Sequence, residues 1–143
     1  MHKSDTEHSA PKMVGKFKVY AINGTNFEIP DYYNLLKPLG FGAYGIVCSV
    51  LDTRTNKKFA IKKCRNVFRD IEDGKRVLRE IALMRFLDHE NLLPLITILP
   101  PLDGNVFKDV YVVVPLMDVD MNVILRSRQV LEESHYQYFI YQM

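Results

Sequence analysis

The chain has 143 residues, of which 48% are apolar and 25% charged, and its 19 basic and 17 acidic side chains leave a formal charge of +2. That length suits one small domain with a single core, and the well-mixed charges carry no footprint for nucleic acid. No apolar run approaches the ~18 residues needed to span a bilayer, so no membrane partner is expected.

Residues 1–16 are polar and aperiodic and read as a disordered tail. The tail lacks the apolar core of a secretory signal, and His2 excludes a myristoylation signal, which needs glycine after the initiator methionine. Next, FKVYAI and TNFEI flank Asn23-Gly24, which predicts a hairpin. YGIVCSVLD and KKFAIKKC, joined by the polar TRTN, predict a second one. Their cysteines, Cys48 and Cys64, match no disulfide or metal spacing and read as strand packing in a reduced, intracellular protein; Cys48, so near the glycines that follow Leu39, could also be modifiable.

Asp70 to Leu87 reads as a helix, with Asp70 as its cap and Val77, Leu78, Ile81 and Met84 on one face. LITIL and VYVVV follow as short strands around the loop PPLDGN. Helical patterns return at MNVILRS and from Glu132 through YQYFIYQM. The last one stops in mid-pattern, leaving Tyr138, Phe139 and Tyr141 with nothing to cover them and no glycine or proline stop, so the chain is expected to continue. The fold class is therefore α+β, with at least five antiparallel strands, one long inserted helix and two further helices.

The glycines of LGFGAYGIVCSV fall at 40, 42 and 45, spaced G-x-G-x-x-G. A dinucleotide-binding turn requires a helix after the third glycine and an acid about 20 residues on; here a β-branched run follows, and Lys62 and Lys63 stand where the acid belongs. A P-loop requires lysine directly after its last glycine and fails as well. What remains is the glycine-rich hairpin of protein kinases, G-x-G-x-x-G-x-V followed by a strand with A-x-K, matched by Val47 and FAIK at 59–62. Without Cβ atoms the hairpin backbone can approach phosphate oxygens. Strand alternation puts Ala60 and Lys62 on one face and Phe59 and Ile61 on the other, with Lys63 expected at the surface. Glu80 falls inside the helix's apolar arc beside Val77, Leu83, Met84 and Leu87, and a carboxylate there needs a cation, so a Lys62–Glu80 pair is expected.

GAYGIVCSV, FAIKK, KRVLREIALMRFLDHENLL, DVYVV with PLM, and HYQYFIYQ together resemble the amino-terminal lobe of a protein kinase, and more narrowly a MAP kinase, over residues 17–143. The resemblance implies a five-stranded antiparallel sheet with one helix and an extra leading hairpin. It divides the chain into the tail, a lobe with hinge at 17–117, and the start of a helical lobe at 118–143. It further implies an ATP site made of Gly40, Phe41, Gly42, Ala43, Tyr44, Gly45, Val47, Ala60 and Lys62. Val114 would be the gatekeeper, Pro115 and Met117 the hinge contacts to adenine, and Asp120 a ribose neighbour, with Val123 where relatives place a polar ribose contact. Leu131, His135 and Tyr138 would line part of a docking groove for partner peptides. Protein substrates with Ser or Thr before proline, an upstream activating kinase, and a cytoplasmic, also nuclear, location are implied in the same way.

No H-R-D-x-x-x-x-N, D-F-G, A-P-E or T-x-Y occurs in the 143 residues. The catalytic base is absent, and the ligands for Mg2+ are expected beyond residue 143. The chain alone is expected to transfer no phosphate. A naturally truncated, non-catalytic module that binds nucleotide or partners is the alternative.

Overall fold

The computed structural model describes residues 10–42, 45–102, 104 and 107–143. Three strands come first: β1 (Lys12–Val14), β2 (Phe17–Ile22) and β3 (Thr25–Pro30), antiparallel in that order. Asn23 (φ 47°) and Gly24 (φ 72°) supply the two left-handed residues that a tight hairpin turn demands. Tyr20, Ile22, Phe27 and Ile29 are buried while Ala21 and Asn26 face solvent, the alternation of a half-buried sheet. Lys12–Val14, within the stretch expected to be tail, is instead an edge strand: Gly15 (φ 57°) turns it back onto β2, pairing Lys12 with Val19 and Val14 with Phe17. Three residues are too few to show a period, which is why the pattern hid this edge strand.

The main sheet comprises β4 (Tyr33–Gly42), β5 (Gly45–Asp52), β6 (Lys57–Cys64), β7 (Thr97–Leu99) and β8 (Val110–Pro115). It is antiparallel, with strand order β4-β5-β6-β8-β7. The expected five-stranded kinase-like sheet with a leading hairpin is therefore present. At the β5–β6 turn, Asp52 accepts hydrogen bonds from the Arg54 backbone N–H (2.9 Å) and guanidinium (2.8 and 3.1 Å), which holds its carboxyl below the usual range.

The sheet's two faces have different coverings. Ile46, Cys48, Val50, Ile61, Tyr111 and Val113 form one core with Tyr20, Ile22, Phe27 and Ile29 of the leading sheet. On the opposite face Cys64, Val67, Val110 and Val112 form a second cluster, against which Val77, Ile81 and Met84 of α1 (Ile71–Phe86) pack.

Asp70 caps α1, its Oδ1 accepting the Glu72 N–H at 2.7 Å, and Glu72 and Asp73 occupy the positive end of the helix dipole. Only a narrow stripe of α1 touches the sheet, so Leu78, read as part of its inner face, is exposed, as are Leu83 and Leu87. With so little packing, the cap matters. Asp70→Ala should cost about 1 kcal/mol, read as a lower urea midpoint with unchanged slope; a midpoint equal to wild type would refute the cap's role.

After β8 come α2 (Met121–Arg126) and α3 (Glu133–Gln142), one residue shorter at its start than expected. Among the described residues no helix is long and apolar enough to cross a membrane.

Candidate functional site

The site is built on β6, where alternation sets the chemistry. Lys62 lies between Val47 of β5 and Val112 of β8, and Ala60 between Ser49 and Val114. These residues share the face on which α1 packs. The Lys62 ammonium donates to Glu80 Oε1 at 2.5 Å, with side chains 27% and 39% exposed. Glu80 is thus half-buried rather than enclosed, because the neighbouring Leu83 and Leu87 project outward. Water reaches both partners, which weakens the pair as a source of stability and leaves the ammonium accessible to an incoming anion. A cavity of about 290 Å³ opens beside them, lined by Lys62, Glu80, Cys64 and Val77 among others.

The glycine hairpin forms the next edge of this face. Gly40 pairs with Val47, Phe41 with Ile46 and Gly42 with Gly45, while Ala43 and Tyr44 lie outside the described residues. Gly45 has φ +132°, and a Cβ there would sit 1.9 Å from the Lys63 carbonyl oxygen. The hairpin therefore rests directly on the β6 backbone one residue past Lys62. A Cβ added at Gly40 or Gly42 would meet nothing within 4 Å among the described residues. A small residue at 60, half-buried valines at 47 and 114, bare glycine backbone and a reachable ammonium make a surface that fits a flat base and a polyphosphate.

Where β8 ends, Val114 is half-buried against the second cluster, Pro115 lies opposite Phe59, and Met117 is exposed. Asp120 caps α2, its Oδ1 accepting the Val123 N–H at 2.8 Å. His135 accepts the Glu132 N–H at Nδ1 (2.9 Å), closing the start of α3. Tyr138 is exposed beside Phe139, and Leu131 is half-buried just before the helix. His135 and Asp120 thus each hold a helix start.

Lys63 is the residue that sequence reasoning misplaced. It is buried, with Nζ 2.9 Å from Asp109 Oδ2 and 2.6 Å from the Asn26 carbonyl, and it lies 5.2 Å from the centre of the Tyr111 ring. Tyr111 in turn accepts the Glu28 N–H (3.1 Å) and donates to Glu28 Oε2 (3.3 Å). These bonds clamp β3 to β6 and β8. Alternation puts Lys63 on the face of Phe59 and Ile61, but its burial comes from the leading sheet that covers that face.

Cys48 is fully buried, and desolvation pushes its thiol up to about 12, so it carries no reactive thiolate near neutral pH. It packs; the alternative of a modifiable thiol falls. Among the described residues no group of three or more His, Cys, Asp or Glu could hold a metal ion.

Comparison with known proteins agrees with this geometry. A profile of the protein kinase domain matches residues 33–143. The chain is 51% identical over 130 residues to mitogen-activated protein kinase 3 of Arabidopsis thaliana, covering 90% of this chain and 35% of that protein. Identity to mitogen-activated protein kinase 4a of Physcomitrium patens is 47% over 136 residues, 94% of this chain and 36% of the relative. To extracellular signal-regulated kinase 1 of Dictyostelium discoideum it is 47% over 124 residues, 87% of this chain and 23% of the relative. The chain spans about a third or less of the length of these relatives. With a kinase-domain match over most of its length and a kinase-like sheet beneath it, the chain belongs to the protein kinase family, in its MAP kinase branch.

Proposed function

We propose that the chain is the ATP-binding portion of a MAP-kinase-like serine/threonine protein kinase, with a nucleotide-binding lobe at 17–117 and the start of a helical lobe at 118–143. The observation that supports this most is the Lys62–Glu80 pair, held on the same sheet face as the glycine hairpin and Ala60. Glu80 orients the ammonium, Lys62 holds the phosphates, the backbone of Gly40, Gly42 and Gly45 covers them, and Val47, Ala60 and Val114 enclose the base. Pro115, which has no N–H, offers only its carbonyl, and Met117 offers its N–H. Bound ATP supplies the γ-phosphoryl group that a complete kinase domain moves to a Ser or Thr hydroxyl. Magnesium is the metal of that reaction, and no step is assigned to it on these residues. Protein substrates, an upstream activating kinase, a docking role for Leu131, His135 and Tyr138, and a cytoplasmic and nuclear location belong to the same proposal.

The chain's own part is binding and positioning, so binding is the test. Calorimetric titration of the 143-residue chain should show saturable ATP binding. Lys62→Met should weaken it about 10- to 100-fold, the worth of a charge-assisted hydrogen bond to phosphate. Equal affinity for the variant would sink the lysine assignment. Purified chain incubated with ATP and a Ser-Pro or Thr-Pro peptide should transfer no phosphate above a no-enzyme control.

A further inference from the structure

Lys63 stands between the leading sheet and the Lys62 face, and it is engaged on both sides. Its ammonium is held by Asp109 Oδ2 (2.9 Å) and by the Asn26 carbonyl of β3 (2.6 Å). Its own carbonyl oxygen lies where a Cβ on Gly45 would come within 1.9 Å, so the base of the glycine hairpin sits on the Lys63 backbone. Tyr111 makes a second tie. It pairs with Lys63 across β6 and β8, while its neighbour Val112 pairs with Lys62. Burial pushes the Tyr111 phenol above its usual range, so it stays protonated and donates to Glu28 Oε2 at 3.3 Å. Two adjacent strands thus reach from behind the Lys62 register to β3, at residues 26 and 28.

On the other face little encloses the ammonium. Water reaches both Lys62 and Glu80, and α1 meets the sheet only through Val77, Ile81 and Met84. The position of Lys62 is therefore set by the strand that bears it. A buried charge fixes a strand more narrowly than apolar contact does, because any shift separates partners that are costly to leave unpaired. We propose that Lys63 is a positioning residue for nucleotide binding: through it the leading sheet sets where the glycine hairpin and the Lys62 ammonium stand toward the phosphates. The proposal deepens the reading of that face as an ATP site and rests on it.

Lys63→Met is the test, because methionine suits the apolar surroundings and leaves Lys62, Glu80 and the glycines unchanged. In calorimetric titration it should weaken ATP about fivefold, while adenosine, which has no phosphates to place, stays within about twofold of wild type. Tyr111→Phe removes only the bonds to Glu28 and should weaken ATP by a smaller factor. Arg54→Ala breaks the bonds to Asp52 and the 3.6 Å stacking on Tyr32 at the opposite end of β6, and should change neither affinity. Hydrogen–deuterium exchange of the chain without nucleotide gives a separate reading. Exchange over residues 45–47 should quicken about tenfold in Lys63→Met and stay as in wild type in Arg54→Ala. Should Lys63→Met lose its circular dichroism, Tyr111→Phe decides by the same measurements. Unchanged ATP affinity, equal loss of ATP and adenosine, or unchanged exchange over residues 45–47 would overturn the proposal. A wild-type chain that binds no ATP would sink the nucleotide reading instead, and exchange alone would then decide whether the leading sheet holds the hairpin.

Discussion

Replacing Asp109 with Ala should remove about 3–5 kcal/mol of stability, the usual consequence of taking away one partner of a buried ion pair. The asymmetry of the pair makes the expectation specific. Lys63's side chain is 4% exposed and Asp109's 24%. Without Asp109 the ammonium, almost wholly buried, keeps the Asn26 carbonyl and the Tyr111 ring but no counter-charge. The Asn66 N–H also loses its acceptor, Asp109 Oδ1 at 2.8 Å. Lys63→Met should cost clearly less, because methionine suits the apolar site and the stranded carboxylate can hydrate. Urea unfolding followed by circular dichroism would rank the two. Asp109→Ala within about 1 kcal/mol of wild type, or milder than Lys63→Met, would show that the clamp contributes little.

The same clamp marks where the sequence was legible and where it was not. Long periodic segments declared themselves: Asn23-Gly24, the β5–β6 hairpin and the Asp70 cap are local signals, and each element forms where its own residues dictate. Lys62–Glu80 was also readable, because strand and helix periodicities each fix a face. What sequence could not weigh was depth. Whether a face is covered depends on a second layer, and it was the leading sheet that turned Lys63 from a surface residue into a buried one. On α1 the error ran the other way. Its apolar arc is broad, but the sheet offers support only to Val77, Ile81 and Met84, so Leu78 stands in solvent. Asp120 and His135 belong with these. A carboxylate or imidazole at a helix start has a backbone duty first, and any contact with ribose or a docking peptide must share that side chain with the cap.

Gly45→Ala should destabilise the chain by about 3 kcal/mol, whereas Gly42→Ala should change stability by no more than about 0.5 kcal/mol. The motif spacing treats the glycines as equivalent, and the geometry does not. At φ +132° an L-residue is strained whatever the space, and the added methyl would fall 1.9 Å from the Lys63 carbonyl oxygen and 2.9 Å from its carbon. Backbone cannot swing aside as a side chain can, so β5 must lift from β6 at Ile46–Lys63, the pairing next to Val47–Lys62. The damage thus reaches the ammonium as well as the fold. At Gly42 and Gly40 a Cβ would point into open space, and neither needs a left-handed backbone. Their value on the proposed reading lies in letting phosphate oxygens approach the chain. Gly42→Ala should therefore weaken ATP binding at nearly unchanged urea midpoint, while Gly45→Ala lowers both. If the two variants unfold alike, the close approach of Gly45 to β6 is not what holds the hairpin down; if Gly42→Ala binds ATP as wild type does, the hairpin does not cover the phosphates.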